Sequence, residues 1–268
     1  MQIQAIAHVR KTGPDDYATH DLAEHLTEVA GLAREFAAAF GAEEWAELAG
    51  LWHDLGKYRP RFQRYIRQAS GYDADAHIEG KPGRAPHSTA GAVLACDQFK
   101  EAGRILAYLI AGHHAGLSDW HSDESSLQVR LDGDQARQEL DEALAAQPPT
   151  DLLAAGDGFR PDLRRVPGLK DGFALWVRLL FSCLVDADFL DTEAFMDEGQ
   201  AERRGGYPGI PALLEAFDRY MATITDDLAG RGPLSPVNRL RADILRQCRA
   251  KAAEAPGLFS LTVPTGGG

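Results

Sequence analysis

The sequence holds only three cysteines, Cys96, Cys183 and Cys248, far apart and with no CxxC pair. That spacing supports neither a disulfide framework nor a zinc knuckle, and points to free thiols in a reducing compartment. Long apolar runs are missing as well: the most apolar window, 173–185, is interrupted by Arg178 and too short to span a bilayer. The opening MQIQAIAHVR has neither the charged end nor the apolar stretch of a secretory signal. These absences predict a cytoplasmic protein with no membrane partner. Positive charge is scarce too. Lys and Arg total 28 against 40 Asp and Glu, a net charge of −12, which argues against a general nucleic-acid coat but leaves room for a local basic contact. No internal repeat is visible. With 268 residues, 44% of them apolar, the chain can bury a sizeable core in one large domain or two modest ones.

What is there reads as all-α. Over 21–40 the apolar residues Leu22, Leu26, Val29, Leu32, Phe36 and Phe40 keep to one face, and Gly41 supplies a stop. A second helix, 43–55, carries Trp45, Leu48, Leu51 and Trp52, with Gly56 as its C-cap. Pro60 suits the first turn of a third helix ending near Gly71, and 71–86 is a loop rich in Gly, Pro and Asp. Further helices are predicted at 87–101, 103–114, 134–146, 171–192, 208–228 and 236–254, with the Pro- and Gly-rich stretch 147–170 on the surface. The end differs. Phe259, Leu261 and Val263 alternate with Ser260 and Thr262 as in a strand, which then meets Pro264-Thr265-Gly266-Gly267-Gly268. A strand running into a Gly-rich turn is how a phosphate-binding loop begins. The expectation is a piece of a longer polypeptide, cut within the first motif of an ATPase; a flexible Gly tail is the plainer alternative.

His53-Asp54 is the strongest chemical signal. At a helix end followed by Gly56, both side chains can reach one ion, and a carboxylate with two oxygens could bridge two. Alone, such a dipeptide is common. His25 lies in phase with Leu22, Leu26 and Val29 on an apolar face, where an unpaired imidazole is costly; a lone histidine there is more often a satisfied core residue. His87 opens a helix after a loop, His113-His114 closes another between small residues, and Asp188 sits in VDADFLD inside an otherwise apolar helix. Each has a dull explanation singly. Together they make coincidence a poor account.

The order H…HD…H…HH…D, carried by EHLTEVA, LWHDLGK, HSTAGA, AGHHAGL and DADFLD, resembles the HD superfamily in its two-metal form. The fuller resemblance, with LTVPTGGG at the end, is to the HD nuclease domain of the CRISPR-associated nuclease-helicase of type I systems. It implies an HD nuclease domain over 1–230, then a linker helix and the truncated start of a superfamily 2 helicase over 231–268. It further implies one metal ion on His25, His53, Asp54 and Asp188, and a second on Asp54, His87, His113 and His114. Lys57 would stand near the scissile phosphate, unless it only complements a helix C-terminus. Asp186 and Asp191 compete with Asp188, which the family pattern favours. His8 has no assigned role; His20, His77 and His121 are expected in solvent. Two divalent ions about 3.5–4 Å apart would activate a water and clamp a phosphodiester. Ligation this rich in imidazole favours Mn, Fe, Co or Ni over Mg.

The implied activity is cleavage of single-stranded DNA in CRISPR interference, by a monomer working with the guide-RNA surveillance complex and with ATP consumed by the helicase part. One local feature fits. Residues 57–67, KYRPRFQRYIR, hold five basic side chains and no acid. Arg61, Arg64 and Arg67 recur along one side of a helix, interleaved with Tyr58, Phe62 and Tyr65, as a track for a strand's phosphates and bases would. A solvated basic face with the rings in the core is as good a reading. Two rivals to the nuclease remain: an HD phosphohydrolase acting on a small nucleotide or cyclic dinucleotide, and a helical scaffold that has lost its metal.

Overall fold

The computed structural model describes residues 4–72, 87–122, 126–230, 232–255 and 257–263. The chain forms two compact units, Met1–Arg203 and Arg204–Gly268. The first opens with a hairpin that the helical periodicity did not announce: β1 (Ile6–Lys11) pairs antiparallel with β2 (Tyr17–Asp21), with His8 opposite His20. Asp21 then caps α1 (Leu22–Ala37), its carboxylate accepting from Glu24 N at 3.0 Å, which satisfies one of the free amides of the first turn. After a 3-10 turn and Gly41 at φ 69°, α2 (Glu43–Trp52) runs back against α1.

The second expected helix stops sooner than its pattern suggested. Regular helix ends at Trp52, His53 and Asp54 occupy the turn, and Leu55–Tyr58 is a 3-10 segment. Gly56 is therefore no C-cap. A Cβ there would lie 2.2 Å from the His87 carbonyl oxygen, so glycine is needed for close approach of two backbones. There follow α3 (Pro60–Ser70), α4 (Thr89–Phe99), α5 (Gly103–Gly112), α6 (Leu127–Asp132), α7 (Asp134–Ala145), α8 (Thr150–Ala154), the long α9 (Leu169–Met196) and α10 (Glu198–Glu202). The predicted loop at 73–86 lies outside the described residues, as does His77.

Two apolar clusters flank the turn that carries His53 and Asp54. One joins Val29, Trp45, Trp52, Leu106, Trp176 and Leu180; the other joins Leu22, Leu26, Leu55, Val93, Leu140 and Leu152. The stretch 147–170 is not a surface loop throughout. Leu152, Phe159 and Val166 are buried, Phe159 meets Trp45 edge-on at 5.0 Å, and the Leu152 carbonyl accepts from Trp52 Nε1 at 2.9 Å. Short helical pieces between prolines were enough to bury three large side chains, which composition alone could not reveal.

The second unit contains α11 (Ile210–Gly230) and α12 (Pro236–Lys251). Arg249 joins them, pairing with Asp218 and lying over the Phe217 ring. Helix α11 thus belongs with α12, and the first unit closes at Arg203 rather than at the sequence-based limit of 230. The alternating segment near the end forms no strand. Residues 258–263 are irregular with Leu258, Phe259 and Leu261 exposed, since a strand without a partner has no ladder to join; residues 264–268 lie outside the described part. Among the described residues no helix is long and apolar enough to cross a membrane.

Helix α4 lies so near the end of α2 that a Cβ on Gly91 would meet the Trp52 carbonyl oxygen at 1.9 Å, whereas one on Gly31 would meet nothing. Gly91→Ala should therefore destabilise the unit by about 1–3 kcal/mol. Gly31→Ala, in the exposed part of α1, should stabilise by about 0.5–1 kcal/mol. Thermal unfolding of the pair checks this: equal melting temperatures would mean that α2 and α4 are not in such contact.

Candidate metal centre

Three helix ends and two helix sides converge between the apolar clusters. His25 projects from the buried face of α1, His53 and Asp54 from the turn after α2, His113 and His114 from the end of α5, His87 from just before α4, and Asp188 from α9. Their ligand atoms form two groups that share Asp54: His25, His53, Asp54 and Asp188, and Asp54, His87, His113 and His114, each group within 4.8 Å. The two oxygens of Asp54 divide the work. Oδ2 lies 3.5 Å from His25 Nε2 and 3.4 Å from His53 Nε2, while Oδ1 lies 3.4 Å from both His87 Nε2 and His113 Nε2. Asp188 Oδ1 completes the first group, 3.6 Å from Nε2 of His25 and of His53.

These separations are too long for good hydrogen bonds but suit shared ligation. Two donors each about 2.1 Å from one ion stand about 3–3.5 Å apart. A second observation agrees. His25, His53 and Asp54 are fully buried, yet His25 Nε2, His53 Nε2, His113 Nε2 and Asp54 Oδ1 have no hydrogen-bond partner, and Asp54 Oδ2 pairs only with the Lys57 ammonium. Orphaned polar atoms in a dry interior cost several kcal/mol together, and here they all face the same two points. The donor set, imidazoles and carboxylates with no thiolate, fits two divalent ions.

The far sides of the rings are fixed. His53 Nδ1 donates to the Gly50 carbonyl at 2.8 Å and His113 Nδ1 to the Ile110 carbonyl at 2.6 Å, leaving each Nε2 as the lone-pair nitrogen that a metal needs. His25 Nδ1 is 2.5 Å from Asp191 Oδ2. Asp191 is thus one step out from the centre, holding a ligand. Its spacing gave the signal: three residues beyond Asp188 on a helix, it shares that face. Asp186 points elsewhere, accepting from Ser182 Oγ at 3.5 Å in an exposed position.

The unforeseen hairpin supplies the remaining wall. Lys57 is buried, with its ammonium 2.6 Å from Asp54 Oδ2, 3.3 Å from the Ala7 carbonyl and 3.4 Å from His8 Nε2. His8 is held neutral: burial, then the Lys57 charge, push its pKa down to about 2. Its Nδ1 lies 3.4 Å from His20 Nδ1, and His20 stacks on Phe195 with ring centroids 4.7 Å apart. His20 is therefore half-buried rather than solvated, because the hairpin folds it over α9. His121 is exposed as expected.

Arg61 and Arg64 stand exposed on α3, while Arg67 is half-buried and donates to the Gln4 carbonyl at 3.4 Å. The interleaved rings do not form a stacking platform. Tyr58 and Phe62 are buried, Phe62 against the His87 ring at 5.0 Å, since the apolar side of an amphipathic helix goes to the core.

Residues 22–146 match the family model of the HD domain, and that span includes every residue of both groups except Asp188. Over that span the chain is similar to the HD domain, a mark of metal-dependent phosphohydrolases. No protein of curated function matches the sequence. A solved structure described as a CRISPR-associated protein is similar at 22% identity and a TM-score of 0.42, over 94% of this chain and 31% of that one. The chain spans less than a third of that protein.

With no ion bound, burial disfavours a charged His53, but the fields of Asp54 and Asp188 outweigh burial and raise its pKa to about 10. His53 thus carries a proton at pH 7 that a metal must displace. Binding of Mn at pH 7 should release protons, and affinity should fall as pH falls; equal binding heats in buffers of unlike ionisation enthalpy would contradict this. Asp191→Asn should weaken Mn binding about 10- to 100-fold through the His25 ring it orients, and unchanged affinity would deny it that role.

Proposed function

We propose that the protein is a metal-dependent phosphodiesterase that cleaves single-stranded DNA. Two divalent ions, Mn, Fe, Co or Ni in preference to Mg, would be held by the groups that meet at Asp54. The observation that carries the reading is the division of one fully buried carboxylate between two sets of imidazole nitrogens, of which His25, His53 and His113 Nε2 have no hydrogen-bond partner. Ions held there would polarise a phosphoryl oxygen and lower the pKa of water, so the chain needs no nucleophile of its own.

The chain's own groups would do the rest. His25, His53 and His113, each oriented through its far nitrogen, keep the ligand set rigid. Asp54 joins the two halves. Lys57 brings a positive charge into the same pocket, held from behind by the Ala7 carbonyl, and we assign it to the phosphate's developing charge. Access would come from the side of Asp188, His87 and His114, where side chains are partly open to solvent. Apolar walls exclude bulk water elsewhere.

The choice of a strand over a free nucleotide rests on two features. A recessed centre admits a flexible single strand more easily than a stiff duplex. Arg61 and Arg64 stand in solvent on α3, the helix that follows the Asp54 segment, as phosphate contacts would. The motif resemblance supports a role in CRISPR interference, with a helicase supplying unwound strand at the cost of ATP and a guide-RNA complex presenting the target.

Mn-loaded protein should hydrolyse single-stranded DNA, leave intact duplex largely uncut and turn over free nucleotides more slowly. A preference for a nucleotide or cyclic dinucleotide would replace the nuclease with a small-molecule hydrolase. Asp54→Ala should leave less than about a tenth of the activity at saturating metal, with helical circular dichroism unchanged. Retained activity would mean that Asp54 is not the shared ligand.

A further inference from the structure

A groove of about 1300 Å³ runs along the side of α3, lined by Gln4 and Ala5 ahead of β1, the start of α1, Tyr58 of the 3-10 segment and residues 144–153. None of the seven residues grouped around Asp54 lines it. Its wall is largely apolar, with Ala5, Ala23, Leu144, Pro149 and Leu153, and on one side it carries Arg64 and Arg67. At its floor lies Tyr58, 7% exposed, whose hydroxyl is buried with no hydrogen-bond partner. Burial, then the charges of Asp21 and Asp151, raise its pKa and keep that hydroxyl protonated. It is a donor in want of an acceptor.

Three chemistries therefore meet in one cleft. Flat apolar surface accepts a ring, two guanidinium groups accept phosphate, and a neutral hydroxyl lacks a partner. Asp21 also lines the cleft and favours a group rich in N–H donors beside it. A nucleotide within a single strand offers all of these: a base with exocyclic donors and carbonyl acceptors, and a phosphate on either side. A fatty or purely aromatic ligand would leave Arg64, Arg67 and the Tyr58 hydroxyl unanswered. A duplex would hide its base faces.

We propose that this groove is a docking site for one or two unpaired nucleotides of a single strand whose scissile phosphate lies at the metal centre. The assignment rests on the strand reading above and adds to it where the bases go. Arg64 also borders a second, polar groove of about 680 Å³, lined by Arg59 and Arg61 together with Glu139 and Glu142. The ring contacts once expected of Tyr58 and Phe62 are replaced by an apolar cleft beside them.

The test uses the whole chain without metal, a fluorescent single-stranded oligodeoxynucleotide, and the same oligonucleotide with abasic sites. Wild type should bind the intact strand about tenfold more tightly than the abasic one. Ala146→Trp, which fills the groove, should bind both alike. Tyr58→Phe should lose part of the preference without loss of fold, and Arg64→Ala should weaken both strands and lower the salt dependence. Mn-dependent hydrolysis of a small diester, bis(p-nitrophenyl) phosphate, should stay at wild-type level in Ala146→Trp. An unchanged preference for bases in Ala146→Trp, or no strand binding by wild type, would overturn the groove assignment. A wild type that binds strand with that preference yet hydrolyses no diester would leave the groove standing and overturn the metal reading instead.

Discussion

One carboxylate organises this molecule. Asp54 sits in a dry pocket with each oxygen turned toward a different set of histidine nitrogens. A bare carboxylate so deeply buried would shed its charge by taking a proton. It does not: against burial, Lys57 first and then His53 and His87 hold its pKa well below the usual carboxylate range. The interior has gathered positive charge, or capacity for it, around one anion. Two divalent ions would serve that arrangement better than protons do, since they also satisfy the nitrogens left without partners.

The fold is arranged so that such a pocket can exist. Helix must end at Trp52 for His53 and Asp54 to turn inward, and Gly56 and Gly91 let the backbones of residues 87–99 come close to that turn. Two separate apolar clusters stand on either side, so the polar centre is braced by packing as well as by the hydrogen bonds at the far nitrogens of its rings. Removing a ligand should therefore cost chemistry more than structure. The packed walls carry the unit's stability, while the unpaired donors between them are a standing expense of function.

Much of this was legible in the residues. Period 3.6 patterning located the long helices, and the coincidence of five histidines with helix ends or apolar phase drew attention to the residues that the fold brings together. Other parts were not. The β1–β2 hairpin is short and half-buried, with alternation too brief to stand out, and it hid the surroundings of His8, His20 and Lys57. The stretch 147–170 looked like surface because prolines and glycines dominate it, although Leu152, Phe159 and Val166 go to the core. Spacing alone puts Tyr58 and Phe62 among possible base contacts; the 3-10 turn carries Tyr58 inward and the apolar side of α3 carries Phe62. Asp191 could have been found, since it follows Asp188 by three residues on one helix.

The central claim is that one carboxylate joins two metal ions, and magnetic resonance tests it without reference to substrate. Protein loaded with two equivalents of Mn and freed of excess should show the exchange-coupled spectrum of two ions sharing a ligand. Asp54→Ala at the same loading should show isolated ions or little bound metal. A wild-type spectrum of isolated Mn, unchanged in Asp54→Ala, would contradict the account.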